Sequence, residues 1–291
     1  MSEYNIQMNK YNALNAGYDQ LYPQPMKHAN THAKDGNDPI TPSMIGTYNK
    51  TEIDTALQNK ADKDRVVNPN LLDNWYFGNP VNQRGQTSYT GEVYGIDRWI
   101  AQWTGDGVTL IEDGCISIDR VSHDSHICQR ITDDLGGQII TLSVIGKGNF
   151  IISLVECDSE WVAKSRIAHS GKIISDSYAL FTITGVVPQG CKNLLVEFAS
   201  ESGVKSQFKA AKLELGDQQT LAHQENGNWV LNEIPNYGEQ LARCQRYFQL
   251  YSSADLRPAK AVDCRPTMRA DPSQSTIVVN STTYYYNTAD L

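Results

Sequence analysis

The strongest constraint in the sequence is a repeated alternation of apolar and polar residues between residues 67 and 220. A period of two places every second side chain on the same face of a β-strand. The alternating runs are separated by Gly, Asp, Asn and Pro, which favour turns. The runs include Ile116–Ile118, Ile140–Val144, Ile152–Leu154, Leu194–Phe198 and Leu213–Leu215. Many short strands joined by turns predict a mainly β fold, an antiparallel jelly-roll-like β-sandwich rather than a βαβ sheet.

The charge and hydropathy of the chain exclude several function classes. Its 25 basic and 33 acidic residues give a formal charge of −8, which argues against nucleic-acid binding, because that affinity comes mainly from neutralising phosphates. No apolar run approaches the ~18 residues of a membrane span, so membrane insertion is not expected. The polar first residues predict no secretory signal. The six cysteines form no C-x-x-C pair, and we expect reduced, buried thiols.

The first 66 residues divide into two segments. Residues 1–46 contain few apolar side chains and cannot bury enough surface to fold alone. Residues 47–66 contain a helix predicted from Thr51 to Asp64, with Ile53 and Leu57 on one face. An isolated helix of this length is marginal in water. The stripe would be buried most easily against copies of itself, in a short coiled stem, although docking on its own chain is the alternative.

Residues 221–291 are predicted to form a polar link, a short helix and a small C-terminal β domain. The link covers His223–Asn228, the helix covers Tyr237–Phe248, and a strand is expected over Thr276–Tyr286. The roughly forty residues after the helix are too few for a secure independent core. Pairing across chains would solve that problem, which is a second indication of oligomerisation.

Motifs in all four segments resemble tail fibre proteins of bacteriophages and phage-tail-like particles. They are Met26–Ala33 with Asp38–Pro42, Tyr48–Asp54 with Asn59–Lys63, Asn70–Trp75 with Asn79–Gly85 and Ile96–Trp99, Lys209–Gly216, and Leu241–Phe248. In such fibres the corresponding motifs open the chain, form a short trimerising helix, begin and close a sandwich, and open the C-terminal domain.

The resemblance implies a homotrimeric appendage that attaches through residues 1–46 to a baseplate or tail. It also implies assembly in the bacterial cytoplasm without a signal peptide, release by lysis as part of a virion tail or tail-like particle, and recognition of a cell-surface receptor, often a glycan. The resulting domain scheme is 1–46 for attachment, 47–66 for the trimerising helix, 67–220 for a carbohydrate-binding-like sandwich and 221–291 for a link, helix and β tip.

Two histidine clusters are candidate metal ligands. His28 and His32 have the H-x-x-x-H spacing, and in a trimer the three chains would bring three or six ring nitrogens to the axis, as related fibres sometimes do. The alternative, which we favour, is that both histidines bond to backbone and no cofactor is bound. The segment His123–His126 with Cys128 lacks a fourth zinc ligand nearby and is interpreted as a polar turn, with a hydrolytic His–Asp pair as the alternative.

Catalysis is not expected from this sequence. It contains no G-x-S-x-G, H-E-x-x-H, P-loop or dinucleotide fingerprint. A glycosidase requires two carboxylates at a fixed separation in space, which a sequence does not reveal. A tail-spike enzyme that degrades surface polysaccharide is therefore the alternative function, and a purely structural baseplate component is the third.

Exposed aromatic side chains are the predicted means of binding a glycan. The apolar face of a sugar ring stacks on Trp or Tyr, while its hydroxyl groups bond to polar neighbours. The glycan-binding candidates are Trp75, Tyr76, Arg98, Trp103, Trp161, Tyr284, Tyr285 and Tyr286. Trp99 is expected in the core, Trp75 and Trp103 in the core or at the surface, and Trp161 at the surface of the sandwich. For the three tyrosines, a trimer interface is the alternative.

Overall fold

The computed structural model describes residues 68–289 except 91–92, 103–107, 120–124, 201–204 and 280, together with residues 7, 9, 10, 12 and 51. The chain divides into two units, Met1–Lys63 and Asp64–Leu291. Thr51 is helical, but the stem residues Ile53 and Leu57 and the metal-ligand candidates His28 and His32 lie outside the described residues. The predicted stem and axial metal site therefore stay predictions.

The described part of Asp64–Leu291 contains fifteen β-strands, one α-helix and two short 3₁₀ helices. The strands are β1 Ser88–Thr90, β2 Ile100–Gln102, β3 Val108–Glu112, β4 Cys115–Asp119, β5 Ser125–Ile131, β6 Ile139–Cys157, β7 Ala163–His169, β8 Ile173–Val186, β9 Asn193–Ser200, β10 Ser206–Leu215, β11 Ala222–Glu225, β12 Asn228–Leu231, β13 Phe248–Tyr251, β14 Ser273–Val279 and β15 Thr282–Thr288. The helix α1 is Tyr237–Cys244, and the 3₁₀ helices are Ala254–Leu256 and Ala261–Asp263.

Ten strands form one continuous sheet in the order β1-β3-β4-β10-β6-β9-β5-β2, with β7 and β8 on the other edge of β6. The first half of β6 pairs with β10 and β8, and its second half pairs with β9 and β7. A long strand that changes partners in this way joins two groups of strands around one core. All strand pairs in the described residues are antiparallel, so the predicted mainly β, antiparallel architecture is confirmed.

Gly148 lies where β6 changes partner. Pairing with β10 ends at Lys147, and pairing with β9 begins at Phe150. The φ of Gly148 is +112°, and an added Cβ would lie 2.6 Å from the Lys205 carbonyl oxygen and 2.7 Å from Ser206 Cα. A glycine is required here because the backbone conformation and the close approach of β10 both exclude a side chain.

The core is built around a series of touching aromatic rings. Ring centroids are 5.2 Å apart for Phe77 and Trp99, 5.2 Å for Trp99 and Phe198, 5.1 Å for Phe198 and Phe208, and 5.0 Å for Phe208 and Phe150. All five side chains are buried, which confirms the prediction for Trp99. The six cysteines are also buried and free, as expected.

The C-terminal residues differ in detail from the sequence-based prediction. The predicted polar link is a hairpin, β11–β12, with positive φ at Asn226 and Gly227, a combination that fits a tight two-residue turn. Helix α1 ends at Cys244, and Phe248 begins β13 instead of extending the helix. The predicted strand Thr276–Tyr286 is two strands, β14 and β15, that reverse at Ser281.

The three-stranded sheet β13-β15-β14 packs on the sandwich of its own chain. Arg98 Cζ lies 3.5 Å from the centroid of the Tyr247 ring, and Arg84 Cζ lies 3.9 Å from that of Phe248. Gln83 Nε2 donates to the Phe248 carbonyl oxygen at 2.9 Å. The expectation that this segment needs a neighbouring chain to shield it is therefore corrected, because its own sandwich supplies the contacts. The trimer prediction now rests on the stem and on the resemblance.

Candidate functional site

The strands β5, β6 and β9 carry apolar residues on both faces of the sheet. Ile127 and Ile131 of β5 belong to the main core, whereas Cys128 between them belongs to a second cluster. That cluster contains Ile100, Cys128, Val155, Cys157 and Leu195, with Tyr94 and Trp161 packed against it. Since alternate strand residues point to opposite faces, the second cluster forms an apolar floor on the face that points away from the main core.

A groove of about 510 Å³ lies on this floor. We call it the Trp161 groove, and it is lined by Arg130, Val155, Glu160, Trp161, Val162, Ala163, Lys164, Ser165, Arg166, Leu195 and Glu197. Charged side chains of both signs therefore surround one half-buried tryptophan and an apolar base. This combination suits a ligand that has both an apolar face and many polar groups.

A tight turn holds Trp161 over the groove. The backbone N–H groups of Glu160 and Val162 both donate to Asp158 Oδ1 at 2.9 Å, and Asn193 Nδ2 donates to the Asp158 carbonyl oxygen at 2.5 Å. Trp161 has a φ of +65°, a conformation that is a genuine outlier for a bulky residue. Arg130 Cζ lies 5.0 Å from the centroid of the Trp161 ring, so a cation–π contact helps to fix the indole.

The carboxylate on the groove floor is held in its ionised form. His126 Nδ1 and Glu197 Oε1 are 2.5 Å apart. Burial by itself would raise the pKa of Glu197, but the hydrogen bond from His126 and the charges of His126 and Arg166 lower it below its ordinary value. Glu197 therefore acts as a fixed negative charge and hydrogen-bond acceptor.

The structure places the glycan-binding candidates in different environments. Trp75 is 2% exposed and packs in the core, and the half-buried Tyr76 packs against that core. Arg98 is 3% exposed and pairs with Asp73 at 3.0 Å beneath Tyr247. Of the two environments predicted for Trp75, the core is therefore confirmed, and the prediction that a sugar stacks on Trp75 is wrong. Trp103 lies outside the described residues.

Tyr284, Tyr285 and Tyr286 lie on β15 and are all half-buried. Tyr286 lies 5.1 Å from Phe248, centroid to centroid, and lines a second cleft of about 560 Å³ together with Arg84 and Tyr94. Tyr285 lies under Arg257 at 5.1 Å. In the second cleft, burial raises the pKa of Tyr89 to about 12, so this phenol stays neutral and acts as a donor or acceptor.

Sequence reasoning missed Arg130, Arg166 and Glu197 of the Trp161 groove. It also interpreted His126, which pairs with Glu197, as part of a polar turn, whereas His126 lies in strand β5. A signal for His126 and Arg130 was present in the alternation of β5. His126 and Arg130 lie two positions before and after the apolar Cys128, so all three side chains point to the same face of β5. Ile127 and Ile131 point to the opposite face. An apolar residue between two polar ones on the outer face indicates a covered or ligand-binding surface. The approach of Arg166 and Glu197 depends on pairing between distant strands.

Among the described residues, no group of three or more His, Cys, Asp or Glu side chains is placed to hold a metal ion. Within the same part of the chain, no helix has the length and hydropathy needed to cross a bilayer.

Neither a known protein family nor a curated protein matches the sequence. Solved structures that are similar over half of the chain include the enzymatically active domain of bacteriophage CBA120 tailspike protein 4, with 14% identity and a TM-score of 0.34 over 50% of this chain and 21% of the tailspike. A CBM4 structure gives 16% identity and a TM-score of 0.35 over 50% of this chain and 99% of the module. The CBM22-1 xylan-binding domain of Paenibacillus barcinonensis Xyn10C gives 10% identity and a TM-score of 0.34 over 51% of this chain and 96% of the domain. The present chain thus spans about a fifth of the tailspike, and matches of this strength assign it to no family.

Proposed function

We propose that this protein is a glycan-binding subunit of a bacteriophage tail fibre or phage-tail-like particle, and that the Trp161 groove holds the sugar. The observation that carries the proposal is a tryptophan held at a φ of +65° above an apolar floor and among charged side chains. One face of a sugar ring would stack on the indole. The hydroxyl groups would bond to Arg130, Arg166 and Glu197.

The backbone conformation at Trp161 favours a binding role over a purely structural one. A left-handed conformation costs an L-residue about 1–2 kcal/mol, and Gly or Asn adopts it more readily. The turn itself is closed by Asp158 and by backbone groups, so it does not need an indole. Strained residues of this kind cluster at ligand-binding sites, where the surrounding structure compensates for their cost.

Adhesion without hydrolysis fits the electrostatics of the groove better than catalysis does. A glycosidase needs one carboxylic acid with a raised pKa to protonate the leaving group. Glu197 has a lowered pKa instead, because of its pairing with His126. Glu160, the other carboxylate of the groove, is solvent-exposed and lies in the Trp161 turn.

The appendage part of the proposal rests on the ordered motifs that resemble tail fibres. Residues 1–46 would attach to a baseplate or tail, and residues 47–66 would assemble three chains. Several weak sites on one particle bind with an avidity about 10²–10⁴ above that of one site. Single sites with millimolar affinity, about −4 kcal/mol each, would then hold a particle on a bacterial surface without an enzyme or a cofactor.

A glycan array that carries bacterial surface polysaccharides tests the binding role. The full chain should bind a subset of these glycans, Trp161→Ala should abolish the binding, and Trp161→Phe should keep part of it because a smaller ring remains. Tyr286→Ala, in the second cleft, is the matched control and should bind as the unaltered chain does. Thermal unfolding of each variant verifies that it is folded.

Two results would contradict the assignment. Retained binding by Trp161→Ala together with lost binding by Tyr286→Ala would move the site to the second cleft. Release of oligosaccharide from any bound glycan would favour the enzymatic alternative. Sedimentation of the full chain tests the appendage model, because a mass near three times 32.4 kDa is expected.

A further inference from the structure

A smaller hollow, which we call the arginine pocket, lies beside the Trp161 groove and shares Arg130 with it. Its volume is about 130 Å³, which suits a compact charged group better than a sugar ring. The charged residues that line it are Arg98, Arg130, Arg243, Arg246, Asp73 and Asp133. Four positive and two negative charges leave a formal local charge of +2, in a chain whose total is −8.

Arg98 forms part of the pocket wall, and one of its N–H groups has no hydrogen-bond partner among the described residues. Its side chain is 2% exposed, its Nε donates to Asp73 Oδ2 at 3.0 Å, and its Nη2 donates to the Arg130 carbonyl oxygen at 3.0 Å. Its Nη1 is buried and has no hydrogen-bond partner among the described residues. Arg98 therefore places a buried positive charge in the pocket wall, with Asp73 as its ion-pair partner.

Arg243 and Arg246 add two positive charges to the pocket, and Asp73 forms an ion pair with only one of them. Arg243 Nε pairs with Asp73 Oδ1 at 2.6 Å, so the single Asp73 carboxylate serves both Arg98 and Arg243. Arg246 is exposed and forms no ion pair in the part of the chain that the structure describes. Planar guanidinium groups match the paired oxygens of carboxylates and phosphates.

We infer that the ligand of the Trp161 groove is an acidic glycan whose carboxylate or phosphate enters the arginine pocket. The sugar ring lies on Trp161, Arg130 contacts both halves of the ligand, and Arg246 covers the anion from the solvent side. This inference rests on the proposed function and narrows it to one class of glycan.

The test uses oligosaccharides that share one backbone and differ in a single substituent. One is neutral, one carries a uronic acid made by oxidation at C6, and one carries a glycerol phosphate. The full chain should bind at least one acidic form at least about tenfold more tightly than the neutral form, which corresponds to about 1.4 kcal/mol. The comparison of the two acidic forms identifies carboxylate or phosphate as the source of the charge.

Variants of exposed arginines locate the anion. Arg246→Gln should remove most of the preference for the acidic form and leave the affinity for the neutral form unchanged. Arg246→Lys should restore part of the preference because the charge returns without the planar fork. Arg265→Gln, which removes an exposed arginine outside the groove and the pocket, is the matched control. Added salt should reduce the preference in the unaltered chain.

Each contrary result has a distinct meaning. Equal binding of neutral and acidic forms, both lost in Trp161→Ala, overturns the acidic-glycan inference and leaves the proposed function standing. A preference that survives Arg246→Gln overturns the inference as well, because the anion then binds elsewhere. Failure of all the glycans on the array and all three oligosaccharides to bind the folded chain contradicts both proposals.

Discussion

Asp73 is the single negative charge that compensates two arginines in the arginine pocket, and its removal has a predictable cost. Its side chain is 12% exposed and contacts Arg98, which is 2% exposed, and Arg243, which is 41% exposed. Asp73→Asn keeps the shape of the side chain and removes its charge. Since the Arg98 guanidinium then lacks its counter-charge in a buried site, we expect the free energy of unfolding to fall by about 3–5 kcal/mol.

Urea unfolding followed by fluorescence measures this loss. With a slope of about 2–3 kcal/mol per molar urea, the midpoint should fall by about 1–2.5 M. Arg243→Gln is the control, and because the Arg243 side chain is partly exposed, the loss of its ion pair should cost only about 0–1 kcal/mol.

A double variant tests the physical reason. Asp73→Asn combined with Arg98→Met removes both buried charges, and it should recover at least half of the stability that Asp73→Asn loses, because no unpaired buried charge remains. A loss below about 1 kcal/mol for Asp73→Asn would refute the reasoning, since it would mean that water or another carboxylate already compensates Arg98. A double variant less stable than Asp73→Asn alone would refute it too.

Three further predictions address the fold and the groove. Gly148→Ala should lower the free energy of unfolding by more than about 2 kcal/mol because the new Cβ would strike the backbone of β10. Gly171 also has a positive φ, but a Cβ there would meet no atom within 4 Å. Gly171→Ala should therefore lower the free energy of unfolding by only about 1 kcal/mol. Phe198→Ala should cost about 3–5 kcal/mol because it removes a ring from the centre of the aromatic core. Glu197→Gln should make the free energy of unfolding less sensitive to acid. The pKa of Glu197 is lowered from 4.5 in the folded state. The ionised side chain therefore stabilises the fold above pH 4.5, and this stabilisation is lost as the pH falls through the lower folded-state pKa.

Denaturant and pH titrations verify these predictions. Equal losses for Gly148→Ala and Gly171→Ala would show that β10 yields to the new methyl group. A loss below about 1 kcal/mol for Phe198→Ala would show that the core collapses around the missing ring. An unchanged acid profile for Glu197→Gln would show that the pairing with His126 contributes nothing to folding.

Alternation was enough to predict β4, β9, β10 and both halves of β6, because the period of two directly reflects which face of a strand is buried. The turn predicted between Ile140–Val144 and Ile152–Leu154 was wrong, because β6 runs without a break from Ile139 to Cys157. The sequence also identified Trp161 as a surface tryptophan, since it stands between Glu160 and Val162 in a polar turn. The C-terminal hairpin was missed because Thr276–Tyr286 has a high strand preference throughout. Its reversal at Ser281 lacks the Asn-Gly or Asp-Gly pair that most strongly signals such a turn.

The sequence by itself determined the class of fold and the presence of an aromatic candidate for sugar binding, because both follow from local patterns. Only the tertiary structure decided that β6 changes partners, that Trp75 is core, and that Arg98, Arg130, Arg243 and Arg246 line one pocket. These four arginines are spread over almost 150 positions of the chain. Their meeting depends on strand register and on the docking of helix α1, which are long-range properties that no local pattern encodes.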